Sequence, residues 1–219
     1  MVIRENFENS LQELKKKISD MGELSIQALE NAFIALKTQD VEIALSVIEE
    51  DTEVDDLDDE INQFAVWLIS KEQPVARDLR EIIGALKISS EIERVADFAV
   101  NISKATIKIG KSKSLLELTH LEKMKDVSVQ MLQKALQSFL EANIVMAKEV
   151  SDLEDQVDEY NSETYKTLTN YLREHPEDMD QLLQLIFINR HLERAADHIT
   201  NIAESTAYLI KGKIYDFNS

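Results

Sequence analysis

Apolar residues fall at steps of three and four along nearly the whole chain. Between residues 5 and 37 they occupy Phe7, Leu11, Leu14, Ile18, Met21, Leu24, Ile26, Leu29, Phe33 and Leu36, which makes one face of a long amphipathic helix. Thr38 to Asp40 can end it, and Asp40 is placed to cap a second helix from about Val41 to Ser70. That helix carries its apolar stripe at Leu45, Ile48, Val54, Leu57, Ile61, Phe64, Ala65 and Leu68. Pro74 marks a break, since proline suits a first turn and not an interior. A third helix is expected from about Ala76 to Ile109, ending near Gly110.

The plan then repeats. Met21 to Leu29 aligns with Met124 to Leu132 at an offset of 103, which also places Asp51 on Glu154, Val54 on Val157 and Asp55 on Asp158. A fifth helix follows from about Ile144 to Arg173, and His175-Pro176-Glu177 breaks the chain as Gln73-Pro74 did. The offset falls to 100, and Glu93, Arg94, Ala96, Asp97, Asn101 and Ile102 recur as Glu193, Arg194, Ala196, Asp197, Asn201 and Ile202. A sixth helix is expected from about Glu177 to Ile210. Self-similarity of this kind marks duplication of one structural unit. The expectation is an all-α fold of two tandem antiparallel three-helix bundles related by a pseudo-twofold, with helices of about 30 residues and a core in each. Residues 1–110 form the first unit, 111–114 a linker, 115–212 the second unit and 213–219 a tail.

Composition narrows the function. Against 42 acids stand 24 Lys plus Arg, for a net charge of −18. Such a surface repels a phosphate backbone or an anionic membrane, so nucleic acid is not an expected partner. Cysteine is absent, which removes disulfide and thiol chemistry. The start, Met1 to Ser10, has no apolar signal-like run, and no stretch approaches the length of a membrane span. A cytoplasmic protein is expected.

With so many acids, carboxylate pairs four apart also arise by chance, and most of the run Glu49 to Glu60 must face water. Position singles out a few. On the third helix Ile82 and Leu86 lie within about 20 degrees of Glu93, and Asp97 about 40 degrees away. The sixth helix repeats this with Leu182, Ile186, Glu193 and Asp197. A carboxylate on a packed face needs a partner or a cation. Arg94 and Arg194 offer one answer, a charge network that ties helices together; a metal site is the other. Asp51 with Asp55 on the second helix, and Glu154 with Asp158 on the fifth, tilt the balance toward metal. Each unit could present four oxygen ligands from facing helices, a set that suits Fe, Mn or Mg in a multinuclear centre and leaves Zn possible. Asn101 and Asn201 could complete a shell.

Catalytic machinery is thin. There are four His, no Gly-rich phosphate loop and no Glu-x-x-His step of the ferritin kind. One basic exception is the cationic side of the third helix, Arg77, Arg80, Lys87 and Arg94, which reads either as pairing with the acid-rich second helix or as an anion site.

The segments Leu192 to Ala203, Ile92 to Ile102, Gln73 to Arg80 and Asp51 to Asp55 together resemble the PhoU family, accessory and regulatory proteins of phosphate-specific transport. The resemblance covers nearly the whole chain and departs at Phe98, where the second copy has His198. It implies the duplicated three-helix fold and a non-enzymatic role. It also implies multinuclear metal sites, iron in some members, at Asp51, Asp55, Glu93, Asp97 and at Glu154, Asp158, Glu193, Asp197. It implies a homodimer that restrains phosphate uptake and the phosphate-starvation response, linking the ATPase subunit of a phosphate ABC transporter to a sensor histidine kinase and meeting the membrane only through those partners. Two other readings compete: a metal-handling or metal-dependent enzyme on a carboxylate-lined bundle, and a plain helical scaffold.

Overall fold

A computed structural model describes the backbone of residues 2–110, 113–213 and 215–217, with side chains for 7–110, 114–213 and 215–217. Residues 111 and 112 of the expected linker, and 214, 218 and 219 of the expected tail, lie outside the described residues. The elements are α1 (Val2–Thr38), α2 (Val41–Glu72), α3 (Ala76–Ile109), a single turn α4 (Lys113–Leu116), α5 (Leu121–Leu140), α6 (Ile144–Glu174) and α7 (Met179–Lys211). The expected fourth, fifth and sixth helices are α5, α6 and α7.

The duplication is visible down to the caps. The Asp40 carboxylate accepts from the N–H groups of Glu42 and Ile43 at 2.9 and 3.3 Å. Asn143 repeats this for Val145 and Met146 at 3.0 and 3.4 Å. Each cap follows a residue in the left-handed region, Gln39 at φ 58° and Ala142 at φ 51°. Such a cap contributes about 1 kcal/mol by satisfying otherwise orphaned first-turn donors.

Two expected lengths are corrected. α5 has 20 residues instead of about 30. The chain leaving α3 is spent first on α4 and a turn closed by Leu118 N–H to Leu115 O and Thr119 N–H to Leu116 O, at 3.2 and 3.0 Å. The hydroxyl of Thr164 on α6 then accepts from the His120 N–H at 3.0 Å, fixing where α5 starts. The last helix begins at Met179, not Glu177, because Pro176 opens a 3₁₀ turn over Pro176–Asp178.

Helices α1–α3 form one bundle and α5–α7 the other. The two bundles meet through α3 and α7, whose mutual contact is the largest in the molecule, with α1 against α5 beside it. Gly84 of α3 meets Leu209 near the end of α7, whereas Phe98 meets His191 nearer its start, so α3 and α7 cross antiparallel about a pseudo-twofold. The approach is close: a Cβ on Gly84 would fall 2.2 Å from the Leu209 side chain, and one on Gly22 of α1 2.3 Å from Leu136 of α5. Here glycine makes room for a neighbour. The expected pair of separate cores is therefore one contiguous core, in which Ile82, Ile88 and Ile92 of α3 join Leu185, Leu192 and Ile199 of α7.

Candidate metal centre

Within each bundle the acid-bearing helices lie side by side and antiparallel. On α2 the positions 51, 55 and 58 share a face, one turn apart; on α3 so do 89, 93 and 97. Ser89 donates its hydroxyl to the Asp58 carboxylate, which sets the register and brings Asp55 toward Glu93 and Asp51 toward Asp97. In the second bundle the amide of Asn189 on α7 donates to the Asn161 side chain at 2.5 Å and to its backbone carbonyl at 3.1 Å. Asn161 and Asn189 are Asp58 and Ser89 displaced by the two repeat offsets, so this polar rung is duplicated although its chemistry is not.

The electrostatics show the grouping. Burial, then Asp55, then Asp97 push the Asp51 carboxyl up to about 6, partly offset by Lys104. Asp55 is raised by burial and by Asp97, and Glu93 by burial and by Asp97, Asp58 and Asp55, with Arg94 opposing. In the second bundle Glu154 is only 7% exposed. Burial, followed by Asp158, Asp197, Asp155 and Glu193, drives it to about 7. Glu193 and Asp197 are raised by burial and by Asp158, against Arg194. All eight sequence-predicted carboxylates thus fall into two groups of four, each group sharing one patch. Among the described residues, the set that brings three ligand atoms within 4.8 Å of one another is a different one, His175, Glu177 and Asp178 at the α6–α7 turn.

The accessory residues behave differently in the two copies. The Arg94 guanidinium donates to Asp97 at 2.9 Å and lies 3.9 Å from Glu93. Arg194 instead lies over the Phe98 ring, 5.1 Å from its centroid. Asn201 donates to Glu91 of α3 at 3.2 Å, and the same carboxylate holds the His198 ring at 2.6 Å. Asn201 is therefore engaged across the bundle junction. The Glu91–His198 link escaped sequence reasoning because position 191 is His, so no repeated Glu advertised it. The rungs Asp58–Ser89 and Asn161–Asn189 were also missed, although the two offsets align them. The cationic side of α3 does not pair with α2: Arg94 pairs with Glu93 and Asp97 on its own helix, while Arg80 and Lys87 lie over the Tyr208 ring of α7 at 5.8 and 6.0 Å.

A PhoU domain model matches residues 18–106 and again 121–206. The chain is 34% identical, over 98% of its length and 99% of the relative's, to a phosphate-specific transport system accessory protein PhoU homolog of Clostridium acetobutylicum. The crystal structure of the phosphate transport system regulatory protein PhoU from Streptococcus pneumoniae matches with a TM-score of 0.89 at 28% identity, covering 96% of this chain and 99% of that one. PhoU from Pseudomonas aeruginosa matches at 0.86 and 27%, covering 94% and 100%.

The chain belongs to the PhoU family. Its members are regulatory and not catalytic, and this sets aside the metal-dependent enzyme weighed above. The duplicated domain match coincides with the two bundles that carry the carboxylate patches.

The donor set of this PhoU-family chain fits a hard cation. Each patch offers only oxygen ligands from two facing helices, and the raised pKa values report crowded, partly desolvated carboxylates that a positive charge would relieve. In the second patch the side-chain oxygen of Asn189, one turn from Glu193, is buried without a hydrogen-bond partner, and a neutral oxygen of that kind suits the same role. Among the described residues no helix is long and apolar enough to cross a membrane.

Proposed function

We propose that this chain regulates phosphate-specific transport as a metal-binding adaptor. In this reading it restrains phosphate uptake and the starvation response by joining the ATPase subunit of a phosphate ABC transporter to a sensor histidine kinase, working as a cytoplasmic homodimer. The observation that carries it is the PhoU match over both halves of the chain, with both copies of the carboxylate motif intact. Asp51, Asp55, Glu93 and Asp97 hold one cation cluster and Glu154, Asp158, Glu193 and Asp197 the other, with Fe foremost and Zn, Mn or Mg as alternatives. Bound cations neutralise the carboxylates and cross-link α2 to α3 and α6 to α7. Residues 1–110 and 115–212 act as the two metal-bearing units.

The test is capture of the cognate transporter ATPase and sensor kinase by the purified chain at high and low phosphate. The adaptor role predicts binding to both, with at least one interaction changing with phosphate. No interaction with either partner in both conditions would refute it.

A further inference from the structure

Far along α3 and α7 from the carboxylate patches, the described residues of this acidic chain form a basic concavity. A cavity of about 580 Å³ opens where α3 begins and α5 and α7 end, and Lys15, Arg77, Arg80, Glu81, Phe139 and Leu209 are among the residues that line it. Among the described residues that line it Glu81 is the one acid, and Lys15 holds it at 2.7 Å. Neither Arg77 nor Arg80 has a carboxylate within ion-pair distance among the described residues. The cavity therefore keeps two uncompensated guanidinium groups in a molecule of net charge −18. Both stand in the first two turns of α3, where the helix dipole adds partial positive charge.

The fold does not require this charge. At the offset of 100, Arg77 corresponds to Glu177, Arg80 to Asp180 and Glu81 to Gln181; at 103, Lys15 corresponds to Leu118. At these positions the second repeat carries acids, Glu177 in the 3₁₀ turn and Asp180 in the first turn of α7. Apolar residues also line it: Phe139, 5.8 Å from the Lys15 ammonium, and Leu209.

We propose that this cavity binds a small phosphate monoester whose phosphate is taken by Arg77 and Arg80 and whose planar or apolar body lies against Phe139 and Leu209. Guanidinium groups recognise phosphate through paired, charge-assisted hydrogen bonds. The volume lies within the range of about 300–1,000 Å³ typical of small-molecule sites, far more than free phosphate would fill. The site uses none of the metal-motif carboxylates.

The probe is AMP, titrated calorimetrically into the full chain with and without EDTA, beside adenosine, orthophosphate and the Arg77→Glu variant. Arg77 is exposed and unpaired, so the variant is expected to keep the wild-type circular dichroism and melting temperature; Arg77→Gln serves as a milder second change. The expected result is one AMP per chain in either buffer, with adenosine, orthophosphate and Arg77→Glu each weakening binding by about tenfold or more. The proposal is overturned by absence of AMP binding or by loss of it in EDTA. It is equally overturned if adenosine or orthophosphate binds as tightly as AMP, or if neither Arg77 variant changes the affinity.

Discussion

The two repeats share a helix plan and a ligand motif, yet their arginines meet different neighbours. Position 98 is Phe in the first copy and its counterpart is His198. α3 and α7 cross about a pseudo-twofold, and Arg194 of the second copy meets Phe98 of the first. Arg194 lies over that aromatic face, whereas Arg94 pairs with Asp97 and Glu93 of its own helix. The first patch carries a built-in counter-charge in direct contact. The second has its arginine on the Phe98 ring and buries Glu154 to 7% exposure, where burial and the neighbouring acids push that carboxyl up to about 7. A duplicated motif thus leaves room for two sites of unequal character, with different neighbours across the junction.

The largest blow to this contrast is Phe98→Ala. Phe98 is 5% exposed and touches His191, His198 and Arg194, so truncation should cost about 3 kcal/mol through the cavity and the lost ring contacts. Urea unfolding measures this. The same variant frees Arg194, and the second patch should then behave as the first does, with Glu193 and Asp197 titrating lower by NMR. A cost under about 1 kcal/mol with unmoved carboxylates would show that the ring does not separate the two sites.

A smaller effect comes from Glu154→Gln. Burial and like charges raise the folded-state pKa from its ordinary 4.5 to about 7. An acid raised in the folded state makes that state bind more protons than the unfolded chain between those values, so metal-free protein loses stability as pH rises from about 4.5 through 7. The substitution keeps the shape and removes the charge. It should raise the melting temperature at pH 8 by roughly 2–4 °C, about 1 kcal/mol in a chain of this size, and change little near pH 5. A lower melting temperature at pH 8 in metal-free protein would mean that the ionised carboxylate is stabilised by its surroundings.

Most of the architecture was legible because long amphipathic stripes and the two offsets say the same thing twice. The Asp40 cap and the breaks at Pro74 and Pro176 follow from local pattern, and the two offsets align the carboxylates of one copy with those of the other. What lies between the bundles did not. Nothing in the periodicity of Gly84 says that Leu209 will press on it, and nothing in Arg94 and Arg194, identical in sequence, says that they will face different neighbours. The shortness of α5 depends on Thr164 holding His120, a contact between residues 44 apart. The basic side of α3 was visible as a cluster, but its distance from α2 and its place in a cavity are tertiary facts.

The central claim is that the eight carboxylates are ligands, and element-resolved mass spectrometry tests it most directly. Protein purified without a metal-affinity tag is compared with a Glu93→Gln, Glu193→Gln double variant, each also after incubation with Fe, Mn, Zn and Mg. The account predicts several metal atoms per chain in the wild type and their loss in the variant, with the helical circular dichroism retained. Wild-type protein that retains none of these metals before or after incubation, or a double variant that holds as much as wild type, would contradict it and leave the motif as a network that ties helices together.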